Sequence, residues 1–96
     1  MNTGISEIVL NEINESAIRN GLDHVILFGS RARGDFKSRS DIDLAVSGGN
    51  TALFYADMDD TSTLMSFDVV DLDKPVQEEL MASICREGIT LYEKGR

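Results

Sequence analysis

Apolar residues recur at helical spacing near the start of the chain. Ile5, Ile8, Val9, Ile13 and Ala17 form one stripe, with Glu7, Glu12 and Glu15 between them, which predicts an amphipathic helix over 5–20. Gly21 is a natural stop. Val25-Ile26-Leu27-Phe28 is a short continuous apolar run, the pattern of a buried strand. Ile42-Asp43-Leu44-Ala45-Val46 alternates and predicts a second strand, broken by Ser47-Gly48-Gly49-Asn50. Residues 51–65 read as a helix offering Leu53, Ala56 and Leu64 to the core, with Asp57, Asp59 and Asp60 in or near its end. Phe67-Asp68-Val69-Val70-Asp71-Leu72 predicts a third strand. Pro75 suits the first turn of a last helix over 75–87, with Val76, Leu80 and Ile84 as its core face. Gly88 ends it, and Ile89-Thr90-Leu91-Tyr92 is a short extension that pairs or packs with the rest. The interval between the first two strands is too short for a long crossover helix, although a short helix from Ser30 fits. This order predicts a small α/β sheet with helices packed against it.

Size and composition narrow the setting. A chain of 96 residues is expected to form one domain, 1–96, with enough core to fold alone. No apolar run approaches the ~18 residues of a membrane span. The first residues lack the basic and apolar regions of a signal peptide, and the single Cys85 excludes an internal disulfide. A cytoplasmic protein without membrane contact is the expectation. A net charge of −8 argues against direct nucleic-acid binding, which needs a basic face. The distribution modifies that picture. Arg31, Arg33, Lys37 and Arg39 are four of the nine basic residues, and only Asp35 opposes them in their segment. A local positive patch on an acidic protein suits a compact anion such as a nucleoside triphosphate.

The candidate chemistry lies in the same segment. Gly29-Ser30 directly follows an apolar strand, at the carboxyl end where α/β sheets bind ligands. Glycine lets backbone N–H groups approach a phosphate, and the Ser30 hydroxyl donates a further bond. Arg31 and Arg33 complete the nucleotide-binding candidates. Ten residues later comes Asp41-Ile42-Asp43. On a strand, alternate side chains share a face, so Asp41 and Asp43 point together while Ile42, Leu44 and Val46 point into the core. Paired carboxylates suit a hard divalent ion shared with substrate phosphates. A two-metal site needs a further carboxylate. The third strand offers Asp68 and Asp71 on opposite faces, and periodicity does not choose between them. Nothing assigns a catalytic role to His24, at a strand's start, or to Cys85, expected near the core of the last helix.

Gly29-Ser30, Arg31-Ala32-Arg33-Gly34, Ser40-Asp41-Ile42-Asp43-Leu44, the later 67–72 segment and the closing 87–92 segment together resemble the minimal nucleotidyltransferases. These are the MNT proteins of the DNA polymerase β-like nucleotidyltransferase superfamily. The resemblance implies an α/β (α+β) fold: a small mixed sheet with helices packed mainly on one face. It implies that Asp41, Asp43 and Asp68 hold two Mg²⁺ ions, with Asp68 preferred to Asp71 because the family's third carboxylate is the first Asp of such a strand. Gly29 and Ser30 would hold the triphosphate of ATP. Stand-alone MNT proteins are antitoxins that transfer AMP to a tyrosine of a helical HEPN ribonuclease toxin, so a hetero-oligomer with that toxin is implied as well. The chain has no acceptor-gripping domain, and the expectation is that a partner supplies it. The alternatives are an antitoxin that neutralises by binding alone, and nucleotidyl transfer to a small molecule such as an aminoglycoside.

Overall fold

The computed structural model of the chain describes residues 2–95. Its elements are α1 (Glu7–Arg19), β1 (His24–Phe28), α2 (Ser30–Arg33), β2 (Ile42–Ser47), α3 (Thr51–Met58), β3 (Phe67–Asp71), α4 (Glu78–Glu87) and β4 (Ile89–Glu93). The four strands form one sheet in the order β3-β2-β1-β4. β1 pairs antiparallel with β2 and β4, whereas β2 and β3 are parallel. The closing extension is therefore a true strand, paired along β1.

Each sheet face has its own core. Val25 and Leu27 of β1 and Ile42, Leu44 and Val46 of β2 pack with Val9, Ile13 and Ala17 of α1 and with Phe54 and Met58 of α3. On the opposite face Phe28 and Ala45 pack with Ile84 of α4, edged by Ile26, Val70 and Leu80. Three helices do not share one face: α1 and α3 cover the larger core and α4 the smaller. Because β2 is covered on both sides, its half-buried Asp43 interrupts the apolar run from Ile42 to Val46.

The helices begin and end for local reasons. α1 starts at Glu7 because the Ser6 side chain accepts a hydrogen bond from the Val9 N–H, an N-cap that satisfies a donor the helix cannot. Ile8, counted on the apolar stripe, is exposed. α3 is capped by Asn50, whose side chain accepts from the Leu53 N–H, and it stops at Met58 rather than near 65. The acid, serine and threonine run after Met58 competes with helical hydrogen bonding. There the Thr61 hydroxyl donates to the Met58 carbonyl, and the Ser62 N–H and hydroxyl donate to Glu12. The core residues of α3 are thus Phe54 and Met58, one turn apart. Leu53, Ala56 and Leu64, expected inside, are all exposed. Pro75 precedes α4 rather than opening it, and Cys85, expected near the core, is exposed.

One polar cluster fixes α3 to α1. Asp57 accepts hydrogen bonds from the Ser16 hydroxyl, Arg19 and the Asn20 amide at 2.7, 2.7 and 3.0 Å. Those bonds, Ser16's first and Arg19's next, hold the Asp57 carboxyl below its ordinary range.

Candidate active site

The carboxylates converge at one end of the sheet because of strand register. Asp43 of β2 stands opposite Phe28 of β1 on one side and Asp68 of β3 on the other. Asp41 lies two positions before Asp43, just ahead of β2, and is exposed. Parallel pairing of β2 with β3 therefore brings together two aspartates separated by a whole helix in sequence. Asp68 shares its face with Val70, on the α4 side. Asp71 lies on the other face, where its carboxylate accepts from the Thr51 hydroxyl and from the Asp73 N–H, both at 2.9 Å. It fastens the start of α3 to β3 and does not meet Asp43.

Burial chiefly pushes the Asp43 carboxyl up, from 3.8 to about 6. The nearby Asp68 and Asp41 raise it further, against smaller opposing effects from Arg33 and Arg31. No salt bridge among the described residues reaches Asp41, Asp43 or Asp68. The chemistry of this donor set fits a divalent cation: hard oxygens, two carboxylates crowding a third at Asp43, and no cation ion-paired with them among the described residues. They do not form a closed cage, since no three Asp, Glu, His or Cys side chains among the described residues stand ready to enclose an ion. Mg²⁺ typically takes only one or two carboxylates and completes its shell with water and phosphate oxygens, so an open set suits it.

Gly29 sets the floor of the site. It has φ +76°, and a Cβ there would run into the Asp43 carboxylate. Both the left-handed backbone and the close approach exclude a side chain. The Ala32 and Arg33 N–H groups return to the Gly29 carbonyl at 3.1 and 3.0 Å, closing the turn. By the geometry of a helix start, the N–H groups of Ser30 and Arg31 lack an intrahelical acceptor. Gly29→Ala is expected to destabilise the fold by about 1–3 kcal/mol, read as a lower urea midpoint; an unchanged midpoint would contradict the close approach.

The two arginines do different things. Arg33 is exposed and bridges Asp35 at 3.2 Å and Glu87 at 3.0 Å. The Asp35 bond chiefly, then Glu87, raises its pKa. It thereby ties α2 to the end of α4. Arg31 is only 2% exposed. Its Nε and Nη2 donate to the Ser40 carbonyl at 3.0 and 2.9 Å, its Nη1 to the Thr3 carbonyl at 3.0 Å, and its Nη2 also reaches the Ser38 carbonyl at 3.4 Å. The Phe36 ring covers the guanidinium at 4.9 Å. Arg31 gathers the 37–40 loop immediately before Asp41. Its sequence position suggests a phosphate contact and gives no sign of this loop-gathering role; a guanidinium, with five donors in a rigid fork, is the side chain suited to collecting several carbonyls.

Beside Asp41 a groove of about 340 Å³ runs between the 37–40 loop and the segment before β3. Its walls are Ser38, Arg39, Leu64, Met65 and Ser66. One end is carboxylate and the other apolar.

The profile of the family described as "Polymerase beta, Nucleotidyltransferase" matches residues 11–96. The chain belongs to that nucleotidyltransferase family. Among solved structures, it resembles a chain of a toxin–antitoxin with AMP-PNP at 23% identity, with a TM-score of 0.73 over 90% of this chain and 74% of the other. It also resembles a chain from a variant of the MntA–HpeT toxin–antitoxin at 26% identity, with a TM-score of 0.67 over 88% and 72%. These likenesses, with the family match, support its assignment as a minimal nucleotidyltransferase of α+β fold. No curated protein sequence matches this nucleotidyltransferase. No helix among the described residues is long and apolar enough to cross a membrane.

Proposed function

We propose that this nucleotidyltransferase is an antitoxin that transfers AMP from ATP to a tyrosine of a HEPN ribonuclease toxin. The observation that carries the reading is the in-register pair Asp43 and Asp68, with Asp41 alongside and Gly29 pressed against Asp43. The toxin–antitoxin neighbours, one with AMP-PNP, support the donor and the kind of partner.

Asp41, Asp43 and Asp68 would hold two Mg²⁺ ions. When bound, such ions neutralise charge on the attacking and leaving oxygens of an in-line displacement. The N–H groups of Ser30 and Arg31 and the Ser30 hydroxyl hold the β- and γ-phosphates beside β1. The tyrosine oxygen bonds to the α-phosphorus, the bond to the pyrophosphate oxygen breaks, and pyrophosphate leaves on the Gly29 side. Asp68, exposed on the edge strand, takes the phenol proton. The groove beside Asp41 fits a phenol: its Met65 wall would meet the ring while the hydroxyl lies toward the carboxylates.

Incubation with labelled ATP, Mg²⁺ and the proposed HEPN partner should label that protein. Asp41→Ala should reduce labelling about a hundredfold or more, the upper range for losing even a residue that merely supports a metal ligand. Undiminished labelling by the Asp41→Ala protein would refute the assigned site.

A further inference from the structure

The sheet order fixes a direction across the site. Gly29 follows β1, Asp43 lies on the neighbouring β2, and Asp68 lies on β3 at the sheet edge. Attacking and leaving oxygens must stand roughly in line. With the leaving pyrophosphate over Gly29, the acceptor comes in from the β3 side. This step rests on the function proposed above.

That side carries an unusual surface. Leu64 is fully exposed on the segment before β3. It forms a ridge between two grooves. One contains Asp41; the other, of about 440 Å³, is lined by Tyr55, Asp59 and Thr63 together with Leu64. Tyr55 is also exposed. A large apolar side chain held wholly in water by a short non-helical segment serves no packing purpose in the isolated chain. An acidic group lines the groove on each side of it, Asp41 in one and Asp59 in the other, against Arg39 as the one cation lining the two grooves among the described residues.

We propose that the Leu64 ridge is the docking surface for the acceptor protein, which meets it with an apolar recess for Leu64 rimmed by basic side chains. A central apolar anchor with a charged surround is the usual anatomy of a specific contact. The opposite charges steer approach toward the side from which the acceptor oxygen must enter. The ridge thus selects the acceptor, while the carboxylates and the Gly29 turn handle the nucleotide.

The test compares Leu64→Glu with Ile18→Glu, a change at another exposed apolar residue on the outer side of α1. Neither side chain is packed, so both variants should melt with the parent protein. Affinity for the HEPN protein is measured by titration, with Mg²⁺-ATP affinity measured separately. Leu64→Glu should weaken the protein complex about tenfold or more, the range of an interface anchor, and leave Mg²⁺-ATP affinity unchanged. Ile18→Glu should change neither. An unchanged complex with Leu64→Glu, an equal loss with Ile18→Glu, or no complex with the parent chain would each overturn the proposal. If the parent binds the HEPN protein without labelling it, the transfer reading fails, while the Leu64 comparison still decides the docking surface.

Discussion

Asp43→Asn is expected to stop the proposed AMP transfer and, at the same time, to stabilise the metal-free protein at neutral pH. Both effects have one source. Asp43 is half-buried between Phe28 and Asp68, with its carboxyl pushed up to about 6 by burial first and by Asp68 and Asp41 next. Folded protein therefore keeps this proton at a pH where the unfolded chain has released it near 3.8. Stability falls as pH rises between those values, and above about 6 the deficit is constant. The undiluted shift would correspond to about 3 kcal/mol; solvent at the rim screens it, leaving ~1 kcal/mol. In EDTA, the parent should lose urea stability from pH 4 to pH 7, and Asp43→Asn should flatten that slope. Mg²⁺ should restore stability to the parent alone. The opposite trend arises at lower pH. Asp57, lowered by Ser16 and Arg19, contributes stability above its unfolded pKa that is lost as pH falls, so the two windows separate. An Asp43→Asn protein that is less stable than the parent at pH 7 in EDTA would contradict the crowding of carboxylates.

Arg31→Ala is expected to damage the fold more than any other single change at the site. The truncation would leave the Ser40 and Thr3 carbonyls without their donors and uncover the Phe36 ring. Buried acceptors left unpaired cost about 1–3 kcal/mol each, against a total of roughly 5–10 kcal/mol for a domain of this size. A drop in melting temperature of 10 °C or more follows at ~4–8 °C per kcal/mol. Arg31→Lys should recover only part of the loss, because an ammonium lacks the planar fork that serves Ser40 through two nitrogens. ATP affinity should fall only as far as the folded fraction falls. A normal melt with collapsed ATP affinity would instead make Arg31 a phosphate ligand.

The contrast between Asp43 and Arg31 shows what was legible in the chain. Strand periodicity puts Asp41 and Asp43 on one face, and the pattern gives the first three strands, while the closing extension proves to be a fourth and α3 and α4 are shorter than the pattern predicts. Periodicity left Asp68 and Asp71 open, because both alternations in β3 are plausible. The family resemblance favoured Asp68, and the parallel register with β2 sets it opposite Asp43. Local pattern also misled in α3: Leu53 and Leu64 look like core residues by composition, but Phe54 and Met58 have the one-turn spacing that meets α1. Arg31 was the hardest to read. Its partners are backbone carbonyls, which the sequence does not distinguish, brought together by a loop whose path no local rule supplies.

β3 is held in the sheet by β2 alone, its other edge being unpaired in the sheet order. An outer strand can detach at less than the free energy of whole-chain unfolding. Its departure would remove Asp68 while leaving Asp41, Asp43 and the Gly29 turn in place. Loss of activity on gentle warming should therefore precede loss of helix signal, and a partner seated along the β3 side would hold that strand, and Asp68 with it, in place.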